Sequence, residues 1–144
     1  MANRSLSPLR EAELQEHPTL AGDVVPVSGQ ERDLICALSY VHLACGQNAP
    51  GLALLRLLDH EASHDVGLLR ILAYGLVSDG AGEEALGVLD RLEAIDDQPE
   101  SRQPLILLRS HALRRAGRMD EARSAFRDYV ALRARAQPRE TGSR

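Results

Sequence analysis

Apolar residues recur at helical spacing along most of the chain, in stretches that glycines separate. From Gln30 to Cys45 the apolar positions fall at steps of three and four, the mark of an amphipathic helix; they are Leu34, Ile35, Leu38, Val41, Ala44 and Cys45. A second apolar stretch follows Gly46, and the same order returns around Gly80 and Gly117. The pattern predicts three helical hairpins, each turned by one glycine.

Capping residues set the expected boundaries of these helices. Asn48 and Asp65 are the predicted N-caps of the second and third helices. A polar linker over residues 96–103 is expected to separate the second hairpin from the third, which Pro104 opens. Pro138 is expected to end the last helix.

The glycine spacing predicts a repeat architecture. The first two turn glycines lie 34 residues apart, which is the period of the tetratricopeptide repeat, and the second and third lie 37 apart, so three residues are inserted. Aligning the glycines brings three sets into register: Gly51, Ala85 and Ala122; Leu55, Leu89 and Phe126; Leu58, Leu92 and Tyr129. We therefore expect an all-α fold of three tetratricopeptide-like hairpins stacked in a right-handed superhelix. The alternative is an unrelated helical bundle with short loops.

The length of 144 residues predicts one domain. We expect it to span residues 30–136, with a flexible extension over 1–29 and a disordered tail over 137–144. No uninterrupted apolar run is long enough for a bilayer span, and charges within the first 20 residues argue against a signal peptide, which predicts a cytoplasmic location. Cys36 and Cys45 would be separated by roughly 13 Å of helical rise and face opposite sides, so no disulfide is expected.

Charge is distributed unevenly along the chain. Residues 1–100 contain 6 Arg and 17 acidic residues, net −11, whereas residues 101–144 contain 11 Arg and 4 acidic residues, net +7. The basic part contains an arginine-rich stretch: Arg109, Arg114, Arg115, Arg118, Arg123 and Arg127. These arginines could meet nucleic acid, an acidic partner or the chain's own acidic half. Because stacking aromatics and nucleic-acid motifs are missing, we do not expect a nucleic-acid partner.

One segment matches a catalytic motif. Residues 60–64 read His-Glu-Ala-Ser-His, the H-E-x-x-H pattern in which two histidines on one helix bind zinc and the glutamate activates water. The repeat register places this segment at the turn between two hairpins, and no third ligand follows at the usual spacing. We therefore predict no enzyme, no metal or other cofactor and no small-molecule substrate.

The first helix of each hairpin is expected to line a concave groove that binds another polypeptide. The repeat register assigns nine residues to it: Cys36, Tyr40, Leu43, Arg70, Tyr74, Val77, Leu107, His111 and Arg114. Tyr40 and Tyr74 lie 34 residues apart, at equivalent positions. The alternative is that these side chains belong to the core between repeats.

The chain also resembles a known family. The motifs are the Leu-rich helix after Gly46, L-A-x-x-L-x-x-x-G from Leu72 to Gly80, and G-x-x-D-E-A-R-x-A-F-x-x-Y from Gly117 to Tyr129. Over residues 30–136 they resemble the YscY-type chaperones of type III secretion, and chaperones of needle subunits, the YscG type, are similar in size and architecture. The YscY resemblance implies a cytoplasmic chaperone that forms a heterodimer with an early exported, YscX-like protein. The pair would engage the cytoplasmic domain of the export gate, its only approach to the membrane. A generic tetratricopeptide adaptor is the alternative.

Overall fold

The structure, a computed structural model, describes residues 27–61 and 64–137, and within these ranges it contains six α-helices and no strand. The helices are α1 (Gly29–Ala44), α2 (Asn48–Glu61), α3 (Val66–Asp79), α4 (Gly82–Ile95), α5 (Arg102–Arg115) and α6 (Met119–Ala136). The prediction of an all-α fold is confirmed. Most of the predicted extension and tail, and Pro138, lie outside the described residues. None of the described helices is both long and apolar enough to cross a bilayer.

The starts of α1 and α3 are defined by side-chain caps. The Ser28 hydroxyl accepts a hydrogen bond from the Glu31 amide, and the Glu31 carboxylate accepts one from the Ser28 amide at 2.8 Å, which forms a capping box and lowers the pKa of Glu31. Asp65 caps α3 as predicted, accepting from the Leu68 amide at 3.0 Å. Asn48, the predicted N-cap of α2, is instead its first helical residue, so the predicted start is off by one position.

The three turn glycines have the conformation that their positions in the sequence predict. Gly46, Gly80 and Gly117 have φ values of 75°, 87° and 78°, in the left-handed region that only glycine enters without strain. After each one, the next amide donates to a carbonyl five residues earlier; the pairs are Gln47 to His42, Ala81 to Leu76 and Arg118 to Leu113, all within 2.8–2.9 Å. The three hairpins therefore share one helix-ending geometry.

The linker before the third hairpin is shorter than predicted. A 3-10 turn, Pro99–Ser101, follows α4 and leads directly into α5, which starts at Arg102 rather than at Pro104. Pro104 fits within the first turn of the helix because an amide there has no intrahelical acceptor.

Packing between helices follows the order of the chain. Each helix contacts the next, and the first helices of successive hairpins also contact each other, α1 with α3 and α3 with α5. The second helices α2, α4 and α6 make no such contacts among the described residues. Every first helix after α1 therefore lies against both helices of the preceding hairpin. The right-handed superhelical course stays a prediction.

The face of α1 that meets the core differs from the apolar stripe seen in the sequence. Leu34, Leu38 and Val41 are exposed, whereas Ser39 and Leu43 are buried. Burial of Ser39 is compensated, since its hydroxyl donates to the Ile35 carbonyl at 2.7 Å. Leu34, Leu38 and Val41 of the apolar stripe therefore do not form the inward face of α1, because α1 packs only against helices that come later in the described chain.

The core is built mainly from leucine, in the predicted register. Leu55 and Leu89 are completely buried, yet Phe126, the third member of their set, is 49% exposed. Gly51, Ala85 and Ala122 are all buried, as are Leu58 and Leu92. The repeat register is thus correct for position along the helices, but burial changes in the last hairpin because no described helix follows α6.

Candidate functional site

Two tyrosines mark the surface formed by the first helices. Tyr40 on α1 and Tyr74 on α3 are 55% and 46% exposed. Because the two residues are equivalent in the repeat and α1 contacts α3, we infer that they share one face of the paired helices. Ile71 and Leu108, partly buried apolar residues that the sequence analysis did not assign, belong to the same helices and pack against the core. We call the surface of α1, α3 and α5 that carries Tyr40 and Tyr74 the tyrosine face.

The nine predicted groove residues do not share one degree of burial. Tyr40, Arg70, Tyr74 and Arg114 are exposed; Cys36, Val77, Leu107 and His111 are partly buried; Leu43 is buried. The structure therefore supports an accessible surface at some of these positions and core packing at others.

Leu43 is a core residue, and its assignment to a binding groove is corrected. Its side chain is 5% exposed. A Cβ added at Gly51 would lie 3.1 Å from Leu43 Cγ, and one added at Gly75 would lie 3.0 Å from Leu43 Cδ1, so Leu43 fills the space beside both glycines. Elsewhere on α1, partial burial raises the pKa of the Cys36 thiol, and the carboxylates of Asp65 and Asp33 add to the shift. Cys36 and Cys45 are both free, as predicted.

Arg70 is engaged within the chain. Its Nε donates to Asp96 Oδ2 at 3.1 Å, and its Nη2 donates to the same oxygen and to the Ser101 hydroxyl. The guanidinium holds the pKa of Asp96 below its usual value. Arg70 therefore pairs with an acid of its own chain, in the segment before α5, and a partner would have to compete with Asp96 for it.

His111 and Arg114 lie in a groove between α5 and α6. The groove has a volume of about 520 Å³. Its lining is Ser110, His111, Arg114, Met119, Ala122, Arg123, Phe126 and Arg127. Met119 and Phe126 make the floor apolar, whereas the charged groups at its edges are all basic. We call this the end groove.

Sequence reasoning missed most of the end groove. The signal was present, since Phe126 aligns with Leu55 and Leu89, and a large apolar residue at an interior position needs a neighbour to cover it. What the alignment did not show is that the covering helix is missing after α6 in the described chain.

The H-E-x-x-H segment does not lie on one helix. His60 is in the last turn of α2, and His64 is in a turn immediately before the cap of α3. Residues 62 and 63 lie outside the described residues. The zinc-protease arrangement needs both histidines one turn apart on a single helix, so this geometry does not match it. In the described part of the chain, no three His, Cys, Asp or Glu side chains cluster as a metal site would require.

Part of the arginine-rich stretch pairs with the acidic half of the chain. Arg109 donates to Asp90 and Glu93 of α4 at 2.8 and 3.0 Å, and Arg118 lies 3.8 Å from Glu83 while pairing with Glu121 at 2.6 Å. Of the three options that the sequence left open for these arginines, contact with the chain's own acidic half is therefore observed for Arg109 and Arg118, whereas Arg123 pairs with Asp120 in its own helix.

Comparisons with known proteins do not add an identity. No model of a known protein family matches the chain. A search of curated proteins finds no match either. The resemblance to YscY-type chaperones therefore stays a prediction that rests on the motifs quoted above.

Proposed function

We propose that this chain is a non-enzymatic chaperone that holds a segment of another polypeptide on the tyrosine face. In the specific form that the sequence resemblance implies, the partner is an early exported, YscX-like protein of type III secretion, bound as a heterodimer that engages the cytoplasmic domain of the export gate. The observation that carries the proposal is the exposure of Tyr40 and Tyr74 at equivalent positions of neighbouring helices.

Two large aromatic side chains left half exposed on one face fit a binding role better than a structural one. Tyrosine combines an apolar ring with a polar tip, which makes it common at protein interfaces and at their energetic centres. The only aromatic pair among the described residues is Phe126 with Tyr129, so neither Tyr40 nor Tyr74 is held in an aromatic cluster. Burying them on a partner would remove apolar surface that folding leaves in water.

The tyrosine face also limits the chemistry of the partner. Partly buried apolar residues, Ile71 and Leu108, accompany the tyrosines, whereas Arg70 is occupied by Asp96. The face therefore suits the apolar side of an amphipathic segment more than an acidic peptide. An exported protein kept unfolded before secretion would expose such segments.

The test is co-expression of the full-length chain with candidate YscX-like and other small type III secretion proteins, followed by affinity purification and size-exclusion chromatography. We expect a stable heterodimer with one of them. Tyr74→Glu should abolish the heterodimer while leaving helicity and thermal stability close to wild type, because a charge would be buried against the partner without a counter-ion. Leu57→Glu, at an exposed apolar position on α2, is the matched control and should leave binding unchanged.

Three outcomes would contradict the proposal. Recovery of no heterodimer with any secretion component would remove the chaperone role. Normal binding by Tyr74→Glu would place the partner on another surface. Unfolding of Tyr74→Glu would show that the residue belongs to the core rather than to a binding face.

A further inference from the structure

The two ends of the helical stack expose residues at positions that are buried inside it. At the first end, Leu34 of α1 is 69% exposed, whereas Leu68, 34 residues later on α3, is 1% exposed. Leu38 is likewise exposed, and its equivalent Leu72 is buried. We call the exposed row Leu34, Leu38 and Val41 the α1 stripe.

The internal junctions show what this row normally contacts. Val41 is equivalent to Gly75, where an added Cβ would lie 3.0 Å from Leu43 and from Leu52, both in the preceding hairpin. In the third hairpin the equivalent residue is Ala112, whose carbonyl oxygen would lie 2.6 Å from a Cβ added at Gly82 of the preceding hairpin. The α1 stripe is therefore the side of a first helix that packs on an earlier hairpin, and the described chain has none before α1.

The other end presents the complementary surface. Gly82, which meets α5, is equivalent to Met119 in the last hairpin, and Leu89 is equivalent to Phe126. Both Met119 and Phe126 are exposed in the floor of the end groove. The end groove is thus the place where the first helix of a following hairpin would lie.

Charges at the two ends are also complementary. His111, Arg114, Arg123 and Arg127 line the end groove, and of these Arg123 also pairs with the exposed Asp120 at 3.2 Å. The start of α1 carries the exposed acids Glu31 and Asp33, and Arg32 between them is paired with Asp65. Attraction between opposite charges favours a first end meeting a last end and disfavours two like ends.

We propose that the α1 stripe of one copy docks in the end groove of a second copy, head to tail, so that α1 continues the stack of its neighbour. This junction would be wider than the close contact of α4 with α5, because Val41 and Met119 stand where Ala112 and Gly82 meet, and the flexible methionine side chain can fill the added space. Such an interface uses different surfaces on the two copies and can add further copies. We expect a concentration-dependent series of oligomers that weakens as salt rises.

The experiment uses the full-length chain in sedimentation velocity and light scattering over a range of concentrations. Leu34→Asp removes the α1 stripe and leaves the end groove, whereas Phe126→Asp removes the end groove and leaves the stripe. Both residues are exposed, so each variant should keep the helicity and melting temperature of the wild type. Each variant alone should be monomeric. An equal mixture of the two should form a dimer and nothing larger, because only one intact junction can be assembled.

Several results would overturn the inference. A wild-type chain that stays monomeric at high concentration would show that the two ends do not dock on each other. A mixture of the two variants that stays monomeric would rule out the head-to-tail arrangement, as would oligomers in either variant alone. Leu57→Asp, outside both ends, should associate like the wild type. Tyr74→Glu should as well, so this inference and the proposed chaperone role can fail separately.

Discussion

Gly82 offers the sharpest test of how the hairpins stack. A Cβ added at this residue would lie 2.3 Å from the Ala116 nitrogen, 2.6 Å from the Ala112 oxygen and 2.7 Å from the Arg115 carbonyl carbon. Ordinary contacts of a Cβ start at 3.4 Å. All three neighbours are backbone atoms of α5 or of its C-terminal turn, so they cannot rotate away as a side chain would. Gly82→Ala therefore requires α4 and α5 to separate by about 1 Å at this point.

The cost of this shift can be estimated. Overpacking a well-packed interior typically costs about 1–3 kcal/mol, and rigid backbone neighbours favour the upper part of that range. For a domain of this size, 1 kcal/mol corresponds to about 4 °C in melting temperature. We expect Gly82→Ala to lower the melting temperature by about 8–12 °C.

The same helix supplies a matched control. Gly87 is exposed in the middle of α4, and an added Cβ there would meet nothing within 4 Å. Gly87→Ala should raise stability by about 0.5–1 kcal/mol, because alanine loses less conformational entropy than glycine in a helix interior. Two glycine-to-alanine changes five residues apart should thus have opposite signs.

Thermal and urea unfolding followed by circular dichroism at 222 nm would measure both effects, at one low protein concentration so that self-association does not contribute. A Gly82→Ala chain as stable as the wild type would refute the close approach of α4 and α5. Destabilisation by Gly87→Ala would instead question the assignment of α4 as a regular helix at that residue.

The remaining predictions concern the core and Asp96, in the segment between α4 and α5. Leu89→Ala should lower the free energy of unfolding, measured with urea, by about 2–5 kcal/mol because the side chain is fully buried. Phe126→Ala changes the equivalent but exposed residue and should cost far less. Equal costs would contradict the difference in burial between the two hairpins. Asp96→Asn should destabilise the chain at neutral pH. The pKa of Asp96 is lowered by Arg70, so its contribution is present above the ordinary aspartate pKa of about 3.9 and is lost as pH falls through the lowered value. The difference in unfolding free energy between wild type and Asp96→Asn should therefore shrink towards zero in acid, and a difference that stays constant would contradict the Arg70 pairing.

Several features of this protein were determined by its sequence alone, because they depend on groups only a few residues apart. The left-handed turns at Gly46, Gly80 and Gly117 follow from the freedom of glycine at positive φ, and the cap by Asp65 needs only an amide three residues away. The 34-residue register follows from repeating these local units, and it brings into alignment Leu55 and Leu89, which are both completely buried.

Other features were decided only by the tertiary structure. Apolar residues occur on more than one side of α1, so periodicity could not show that Ser39 faces inward and Leu34 outward; the position of the next hairpin decides this. The pairing of Arg70 with Asp96 depends on the path of the chain between α4 and α5, which no short sequence motif determines. Phe126 aligns with core residues in the repeat register, yet it is exposed. Burial at this position requires a helix packed on α6, and the register does not show whether such a helix is present.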